Sequence, residues 1–190
     1  DFGPMGIVST GSGAATLSFV DFRYYHPRIY DDEIPSDLAK EWGINVFRPD
    51  LDFEGGNFMT TSDGLCVASK GAQWFNPQFS QSALEAIYKD YLGCKKMIFP
   101  TPLKGEGTTH IDMFSKFGSD TTAIIAEYTA GQDADNKAIL DADAALFAAT
   151  PNGSGKAITV TRIPMANNTP DASAPNEKIW RTYTNSVTLA

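Results

Sequence analysis

Short apolar runs and helical patterns alternate along this chain, and the alternation constrains the fold more than any other feature. Strands that alternate with helices predict a mixed α/β fold. The chain has 190 residues, which is enough for one sizeable domain. The predicted strands cover residues 15–22, 65–71, 96–100, 109–117, 122–128 and 156–165, and one more begins at 182. Residues 44–50 are predicted to form a strand followed by a turn.

Three segments carry helix signals. A short helix is predicted to begin at Pro35-Ser36 and to end at Trp42, before Gly43. The clearest helix covers residues 82–93, where Ser82 and Glu85 form a capping box and Gly93 ends the helix. Its apolar positions recur at helical spacing and are Leu84, Ile87, Tyr88, Tyr91 and Leu92. The third covers residues 135–149, with inward positions Ile139, Leu140, Ala144 and Phe147.

The stretch "THIDMFSKF" contains a possible catalytic pair. It alternates as a strand would, and side chains two apart on a strand face the same way. His110 and Asp112 can then converge on one ligand. The alternative is a surface strand whose polar residues face solvent. A zinc site is poorly supported, because the other histidine, His26, is remote and no third ligand lies nearby.

The stretch "FEGGNFM" places the carboxylate of Glu54 directly before two residues without side chains. Gly55 and Gly56 leave room for a ligand or another backbone segment to approach closely. The alternative is a tight turn between two strands. A further candidate is Arg28, which is followed by the acidic run 31–33. That run is also typical of a solvated face or of a helix N-terminus.

Charge and composition narrow the choice of partners. The net charge is −8 and no basic stripe is present, which argues against nucleic acid as a partner. An acidic protein attracts cationic ligands more readily. No apolar run is long enough to cross a bilayer. Serine, threonine, asparagine, glycine and alanine are abundant and lysine is sparse, which favours a secreted or periplasmic protein, with the cytoplasm as the alternative.

The chain has two cysteines, Cys66 and Cys94, and both lie in apolar stretches. Their spacing is not that of a metal site. We expect both to be buried, unpaired thiols that lie away from His110.

Five short segments, in this order, resemble the bacterial-type peptidylarginine deiminase and agmatine deiminase family of the guanidine-modifying (pentein) superfamily. Each segment alone is weak, but the order of all five spans nearly the whole chain. The segments are Asp1-Phe-Gly-Pro4, His26-Pro-Arg28 with Asp31-Asp32, Glu54-Gly-Gly-Asn57, His110-Ile-Asp112 and Tyr183-Thr-Asn185.

The resemblance implies a five-bladed, pseudo-symmetric α/β propeller with the site on its axis. Residues 1–190 would be a single partial domain that covers the first three or four blades. The family's nucleophilic cysteine follows the Tyr-x-Asn segment, and Cys66 and Cys94 precede His110 and do not match it. The C-terminal part with that cysteine is therefore expected to be absent from this chain.

The resemblance also implies roles for individual residues. Asp1 and Asp112 would grip a guanidinium, with Glu54 as in the agmatine branch, and His110 would carry protons. Arg28 would hold a substrate carboxylate or carbonyl, and His26 stands where the family has a partner arginine, which leaves the substrate open. Neither a metal nor another cofactor is implied. The remaining matched positions implied to bind substrate are Asn57 and Asn185.

The expected function is hydrolysis of a guanidinium group, in peptidyl-arginine or agmatine, to a ureido group with release of ammonia. The alternatives are a non-catalytic guanidinium-binding or interaction protein and a structural α/β protein with chance motifs. The chain starts without Met, like a processed chain, and "NSVTLA" enters a predicted strand and stops. We therefore expect a second polypeptide to complete the fold and to supply the cysteine. The carboxylates of Glu54 and Asp112 should lie within about 15 Å, close enough to share one ligand.

Overall fold

The computed structural model describes residues 1–9, 13–25, 27–129, 131–170, 172–173 and 178–186. It contains two compact units. The first comprises Asp1–Gly55 and Ala72–Cys94, and the second comprises Gly56–Gly71 and Lys95–Ala190.

The first unit contains a three-stranded sheet whose neighbouring strands are, in order, β1 (Met5–Ser9), β2 (Thr16–Val20) and β3 (Asn45–Phe47). β1 and β2 are antiparallel, and β2 and β3 are parallel. The rings of Phe22 and Phe53 stack with centroids 4.4 Å apart, and Phe53 also contacts Tyr88. The elements of this unit are β1 (Met5–Ser9), β2 (Thr16–Val20), α1 (Ile29–Trp42), β3 (Asn45–Phe47), α2 (Gly71–Phe75, whose first residue belongs to the second unit) and α3 (Gln81–Leu92).

The helix α1 ends at Trp42 as predicted, with Gly43 in the left-handed conformation at φ 66°. Its predicted start at Pro35 is wrong, because the helix begins at Ile29 and Pro35 lies inside it. The acidic residues Asp31 and Asp32 fall in the first turn. There they interact favourably with the positive end of the helix dipole, which explains the acidic run.

The helix α3 confirms most of the second prediction. Leu84 and Tyr88 are fully buried, and Gly93 ends the helix at φ 71°. The capping box at Ser82 is wrong, because the N-cap is Ser80, whose hydroxyl accepts a hydrogen bond from the Ala83 N–H at 3.2 Å. Ser80 thus satisfies one of the amide groups that a helix start leaves unpaired.

The second unit contains two three-stranded sheets, a hairpin and one long helix. The sheets have the orders β4-β5-β6 and β7-β8-β9, and β10 pairs with β11. The elements are β4 (Met59–Thr60), β5 (Leu65–Val67), β6 (Lys96–Ile98), β7 (Ser115–Ser119), β8 (Thr122–Glu127), α4 (Ala134–Ala149), β9 (Thr159–Pro164), β10 (Thr169–Pro170) and β11 (Lys178–Ile179).

The three three-stranded sheets share one order of pairing. In each, the first two strands are antiparallel, and a strand that follows one or two helices then joins the second strand in parallel. The three sheets begin at residues 5, 59 and 115. Residue identity alone does not reveal this regularity. The mixed α/β class is confirmed.

The core of the second unit forms between α4 and the strands around it. Leu140, Ala144 and Phe147 are buried as predicted, whereas Ile139 is only partly buried. Burial of one such large apolar side chain contributes about 1.5–3 kcal/mol. The core cluster consists of Leu65, Val67, Ile98, Leu103, Ile111, Phe114, Ala123, Ile125, Ala126, Tyr128, Leu140, Ala144, Phe147, Ile158 and Met165.

Two further predictions are wrong. Cys66 and Cys94 are buried as expected, but both are disulfide-bonded, so neither is the unpaired thiol that we predicted. The final strand does not form at residues 182–186, and residues 187–190 lie outside the described part of the chain. Within the described residues, no helix combines the length and the apolar character needed to cross a bilayer.

Candidate functional site

His110 lies at the start of a short 3₁₀ helix, Ile111–Met113, and not on a strand. The strand begins only at Ser115, so the argument that His110 and Asp112 face the same way along a strand is wrong. Ile111 and Phe114 are both fully buried, and this spacing of three matches the three residues per turn of a 3₁₀ helix. Burial of these two side chains fixes the turn that carries His110.

Gly56 provides the space that the His110 imidazole occupies. A Cβ atom at residue 56 would lie 2.9 Å from Cε1 and 3.0 Å from Cγ of the ring, and closer still to Nδ1. Only a residue without a side chain leaves this room. His110 is buried, with a fractional exposure of 7%. The room predicted at the second glycine is therefore filled by His110.

Asp112 lies beside His110 and has a perturbed carboxyl group. Burial raises the pKa of the Asp112 carboxyl, the neighbouring His110 lowers it, and the carboxylate of Glu106 raises it. Its Oδ1 atom is buried and has no hydrogen-bond partner among the described residues. A buried carboxylate oxygen without a donor is costly, and a cationic ligand with N–H groups would remove that cost.

Asn57 and Ser69 belong to a chain of hydrogen bonds that reaches Thr109, the residue before His110. The buried Asn57 accepts a hydrogen bond at Oδ1 from the Ser69 N–H at 2.9 Å. The Ser69 hydroxyl donates to the Thr109 carbonyl at 2.6 Å and accepts from the Gly71 N–H at 3.0 Å. Asn57 therefore has a structural contact, and its predicted contact with substrate stays a prediction.

The segment that contains Asn185 lies next to Asp112. The buried Thr184 donates its hydroxyl hydrogen bond to the Asp112 carbonyl at 2.8 Å. Asn185 itself is exposed. The second unit thus brings the Tyr-x-Asn segment next to Asp112, although more than 70 residues separate them in the sequence.

Glu106 adds a third polar side chain to this region. Its Oε1 accepts hydrogen bonds from the Thr108 N–H at 3.0 Å and from the Thr108 hydroxyl at 2.7 Å. Its Oε2 is buried and, within the described residues, unpartnered. Its effect on Asp112 shows that two carboxylates share this part of the molecule, an arrangement that suits a cation.

Asp1 and the segment of Glu54 meet in the first unit. The Gly55 N–H donates to the Asp1 carbonyl at 2.9 Å, and a Cβ atom on Gly55 would lie 3.3 Å from that oxygen. The first glycine therefore accommodates the backbone of Asp1. The carboxylate of Glu54 lies near Tyr24, whose pKa is raised to about 12, chiefly by burial.

Arg28 is already engaged within the first unit. Its guanidinium forms an ion pair with Asp31 and lies 5.8 Å from the ring centre of Phe2 and 5.5 Å from that of Tyr24. A substrate carboxylate would have to compete with Asp31 for this cation. His26 lies outside the described residues.

Other kinds of site find little support. Among the described residues, no group of three or more histidine, cysteine, aspartate and glutamate side chains could hold a metal ion. A cavity of about 660 Å³ in the first unit contains none of the predicted site residues. It is lined by Gly6, Ile7, Val8, Phe47, Asp90, Tyr91, Leu92 and Gly93.

Sequence reasoning missed Ser69, Glu106, Thr109 and Thr184. Ser69 and Thr184 contact residues distant in sequence, Thr109 has an unusual backbone conformation, and Glu106 acts on the nearby Asp112 through its charge. A weak signal was present for Thr184, because it lies between the two matched residues of the Tyr-x-Asn segment.

Known proteins match this chain along its length. The family described as Porphyromonas-type peptidyl-arginine deiminase matches residues 1–190. Among solved structures, an agmatine deiminase of Enterococcus faecalis is 20% identical with a TM-score of 0.78, over 98% of this chain and 55% of that chain. An agmatine deiminase of C. jejuni is 19% identical with a TM-score of 0.76, over 97% of this chain and 54% of that chain. The chain thus spans about 55% of the length of these structures, and the likeness establishes a shared fold.

Proposed function

The chain belongs to the Porphyromonas-type peptidyl-arginine deiminase family, and from this premise we propose that it forms the guanidinium-binding and proton-transfer part of a deiminase. The reaction converts a guanidinium group and water to a ureido group, ammonia and a proton. The observation that carries the proposal is the arrangement at His110, where the imidazole fills the space at Gly56 beside the half-buried Asp112, whose Oδ1 is buried and has no hydrogen-bond partner among the described residues.

A guanidinium suits the Asp112 carboxylate. It is planar, always charged, and offers N–H donors in a fixed fork that a carboxylate accepts with two hydrogen bonds. Its arrival would give Oδ1 the donors that it lacks and would favour the charged form of the carboxyl, whose pKa burial has raised. In this proposal Asp1 and Glu54 bind the same ligand. Asn185 lies at the edge of the bound ligand. Asn57 acts on the site indirectly, because it accepts a hydrogen bond from the Ser69 N–H.

The reaction needs a thiolate and a group that moves protons. The thiolate sulfur attacks the guanidinium carbon and forms a C–S bond. The C–N bond to the leaving nitrogen then breaks as His110 donates a proton, and ammonia departs. Water next attacks the same carbon while His110 takes up a proton, and the C–S bond breaks to give the ureido product and the thiolate.

We propose that the thiolate comes from polypeptide outside these 190 residues. Both cysteines of the chain are disulfide-bonded, and a disulfide sulfur has no thiolate to offer. A further segment of the same polypeptide or a second polypeptide would supply it. In the same proposal the three strand–strand–helix–strand sheets are blades of one partial five-bladed propeller domain, which that additional segment completes.

The test is a kinetic comparison in the complete protein. Asp112→Asn and His110→Asn should each lower kcat/KM for release of ammonia and ureido product by a factor of at least about 100, the usual contribution of a positioned proton-transfer group or charge partner. The matched control is Asp135→Asn, which removes an exposed carboxylate in an ion pair with Lys104. Unchanged turnover in both site variants would refute the proposal.

A second candidate function is binding of guanidinium groups without catalysis. It is favoured by the absence of a free cysteine among the described residues. Calorimetry with agmatine and with a peptide amide that contains arginine separates the two. Binding without product in the complete protein supports this second function, and product formation excludes it.

The substrate is proposed from the state of Arg28. Because Asp31 neutralises this guanidinium, we expect poor recognition of a free carboxylate and a preference for agmatine or an internal peptidyl arginine. Comparison of kcat/KM for agmatine, free arginine, an internal peptidyl arginine and a C-terminal arginine tests this. A preference for the C-terminal arginine would contradict it.

We propose that the protein works in an oxidising compartment, secreted or periplasmic. The disulfide-bonded state of Cys66 and Cys94 supports this, since disulfides persist mainly outside the cytosol. Alkylation of native protein without reductant, followed by mass spectrometry, should find both thiols blocked to the reagent. Alkylation of both would contradict the proposal.

A further inference from the structure

Thr109 has a backbone conformation that is unusual for its residue type. Its φ is 60°, and among the described residues it is the only one other than glycine with a positive φ. A residue with a Cβ atom populates the left-handed conformation about tenfold less than the right-handed one. Something must therefore hold Thr109 in place, and the residue that follows it is His110.

Ser69 is the side chain that holds the Thr109 carbonyl. Ser69 is fully buried, and its hydroxyl donates to that oxygen at 2.6 Å while it accepts from the Gly71 N–H at 3.0 Å. Its own N–H is bonded to Asn57 at 2.9 Å. It follows β5 by two residues. The hydrogen bonds with Gly71 and Asn57 thus fix the position of the hydroxyl that donates to Thr109.

The side chain of Thr109 forms no hydrogen bond with the described part of the chain. Its Oγ1 is buried and, among the described residues, has no partner. Gly71 lies against it so closely that a Cβ atom at residue 71 would come within 2.6 Å of the Thr109 Cβ. The hydrogen bond from Ser69 to the Thr109 carbonyl is one of the contacts that hold the peptide between Thr109 and His110.

We propose that Ser69 is a positioning residue for His110, which acts by holding Thr109 in the left-handed conformation. The inference rests on the proposed function of His110 in proton transfer. Without the hydroxyl, Thr109 relaxes toward negative φ and the imidazole turns away from the space at Gly56. Glycine at residue 109 adopts positive φ without this cost, so it makes the hydroxyl dispensable.

The test combines two substitutions in the complete protein. Ser69→Ala should lower kcat about tenfold, because the left-handed conformation of Thr109 should become about tenfold less populated. KM should change less than about twofold. Adding Thr109→Gly to Ser69→Ala should restore kcat to within about threefold of wild type. A kcat within twofold of wild type in Ser69→Ala overturns the proposal, and so does a double variant that recovers nothing.

The control separates positioning from loss of stability. Thr61→Val removes another buried hydroxyl, in the turn before β5, which accepts from the Leu65 N–H at 3.0 Å. It should lower the unfolding temperature but leave kcat unchanged. If Ser69→Ala does not fold, the double variant carries the test. A folded and active double variant supports the proposal, and one that fails to fold overturns it.

A readout without turnover distinguishes this inference from the proposed function. Histidine labelled with ¹³C at Cε1 gives a signal for His110, assigned with His110→Asn. We expect one sharp signal in wild type and in the double variant, and a broadened or doubled signal in Ser69→Ala. That pattern supports the inference even if wild type proves inactive, and an identical signal in all three overturns it.

Discussion

Gly56→Ala should disable His110 while leaving every polar group of the site in place. The new Cβ atom would lie 2.9 Å from the His110 Cε1 atom and 3.0 Å from Cγ. Ordinary carbon contacts are about 3.5 Å or longer. Since Nδ1 lies closer than either carbon, the ring must move by roughly 1 Å.

The size of the effect follows from that displacement. A misplacement of about 1 Å costs on the order of 100-fold in rate, which is about 2.7 kcal/mol of transition-state stabilisation at 1.36 kcal/mol per tenfold. Overpacking also lowers stability by about 1–3 kcal/mol. The fall in kcat should therefore exceed what partial unfolding explains at a temperature well below the midpoint.

The assay is steady-state ammonia release by the complete protein, with thermal unfolding measured on the same samples. The matched control is Gly107→Ala, in the loop before His110, where a Cβ atom would meet nothing within 4 Å. We expect less than a twofold change for the control. A Gly56→Ala variant with kcat within threefold of wild type would refute the steric reasoning.

Three further outcomes are expected. Burial raises the pKa of the Asp143 carboxyl to about 6, above an unfolded value of about 3.9, so its contribution to stability is greatest below about pH 4 and is lost as pH rises through about 6. Asp143→Asn should therefore raise stability at pH 7 by about 1–3 kcal/mol and flatten the change between about pH 4 and pH 6, as measured by urea unfolding; an unaltered pH dependence would contradict this. Thr184→Val removes the hydrogen bond to the Asp112 carbonyl and should cost about 1 kcal/mol of stability and lower kcat, and equal kcat in the two proteins would argue against a positioning effect. Asp31→Asn frees Arg28 from its ion pair and should lower KM for a C-terminal arginine peptide by roughly tenfold, whereas equal KM values would show that Arg28 does not contact the carboxylate.

Strong local patterns were predictable from sequence, and boundaries set by tertiary contacts were not. The glycine stops at Gly43 and Gly93 are confirmed because they depend on local backbone conformation alone. The start of α1 was missed because proline is most favoured in a first turn, whereas Pro35 lies inside the helix. The disulfide-bonded state of the cysteines was missed because pairing depends on distance in space, which spacing in sequence does not give.

The closeness of His110 and Asp112 was predictable from sequence, but the local geometry that produces it was not. His110 and Asp112 do lie near each other, yet a 3₁₀ turn achieves this and not the alternation of a strand. The pattern of "THIDMF" fits both periods, and the burial of Ile111 and Phe114 decides between them. The positive φ of Thr109 has no sequence signal, because threonine rarely adopts it.

We propose that Asp112 and His110 bind and process a guanidinium group. A crystal structure of the complete protein with agmatine or an arginine peptide amide, in a variant that lacks the nucleophile, tests it most directly. We predict a guanidinium nitrogen about 3 Å from the Asp112 carboxylate, with the carboxylate of Glu54 within about 15 Å of Asp112 and the His110 ring beside the guanidinium carbon. A guanidinium bound elsewhere, with Asp112 Oδ1 still unpartnered, would contradict the account.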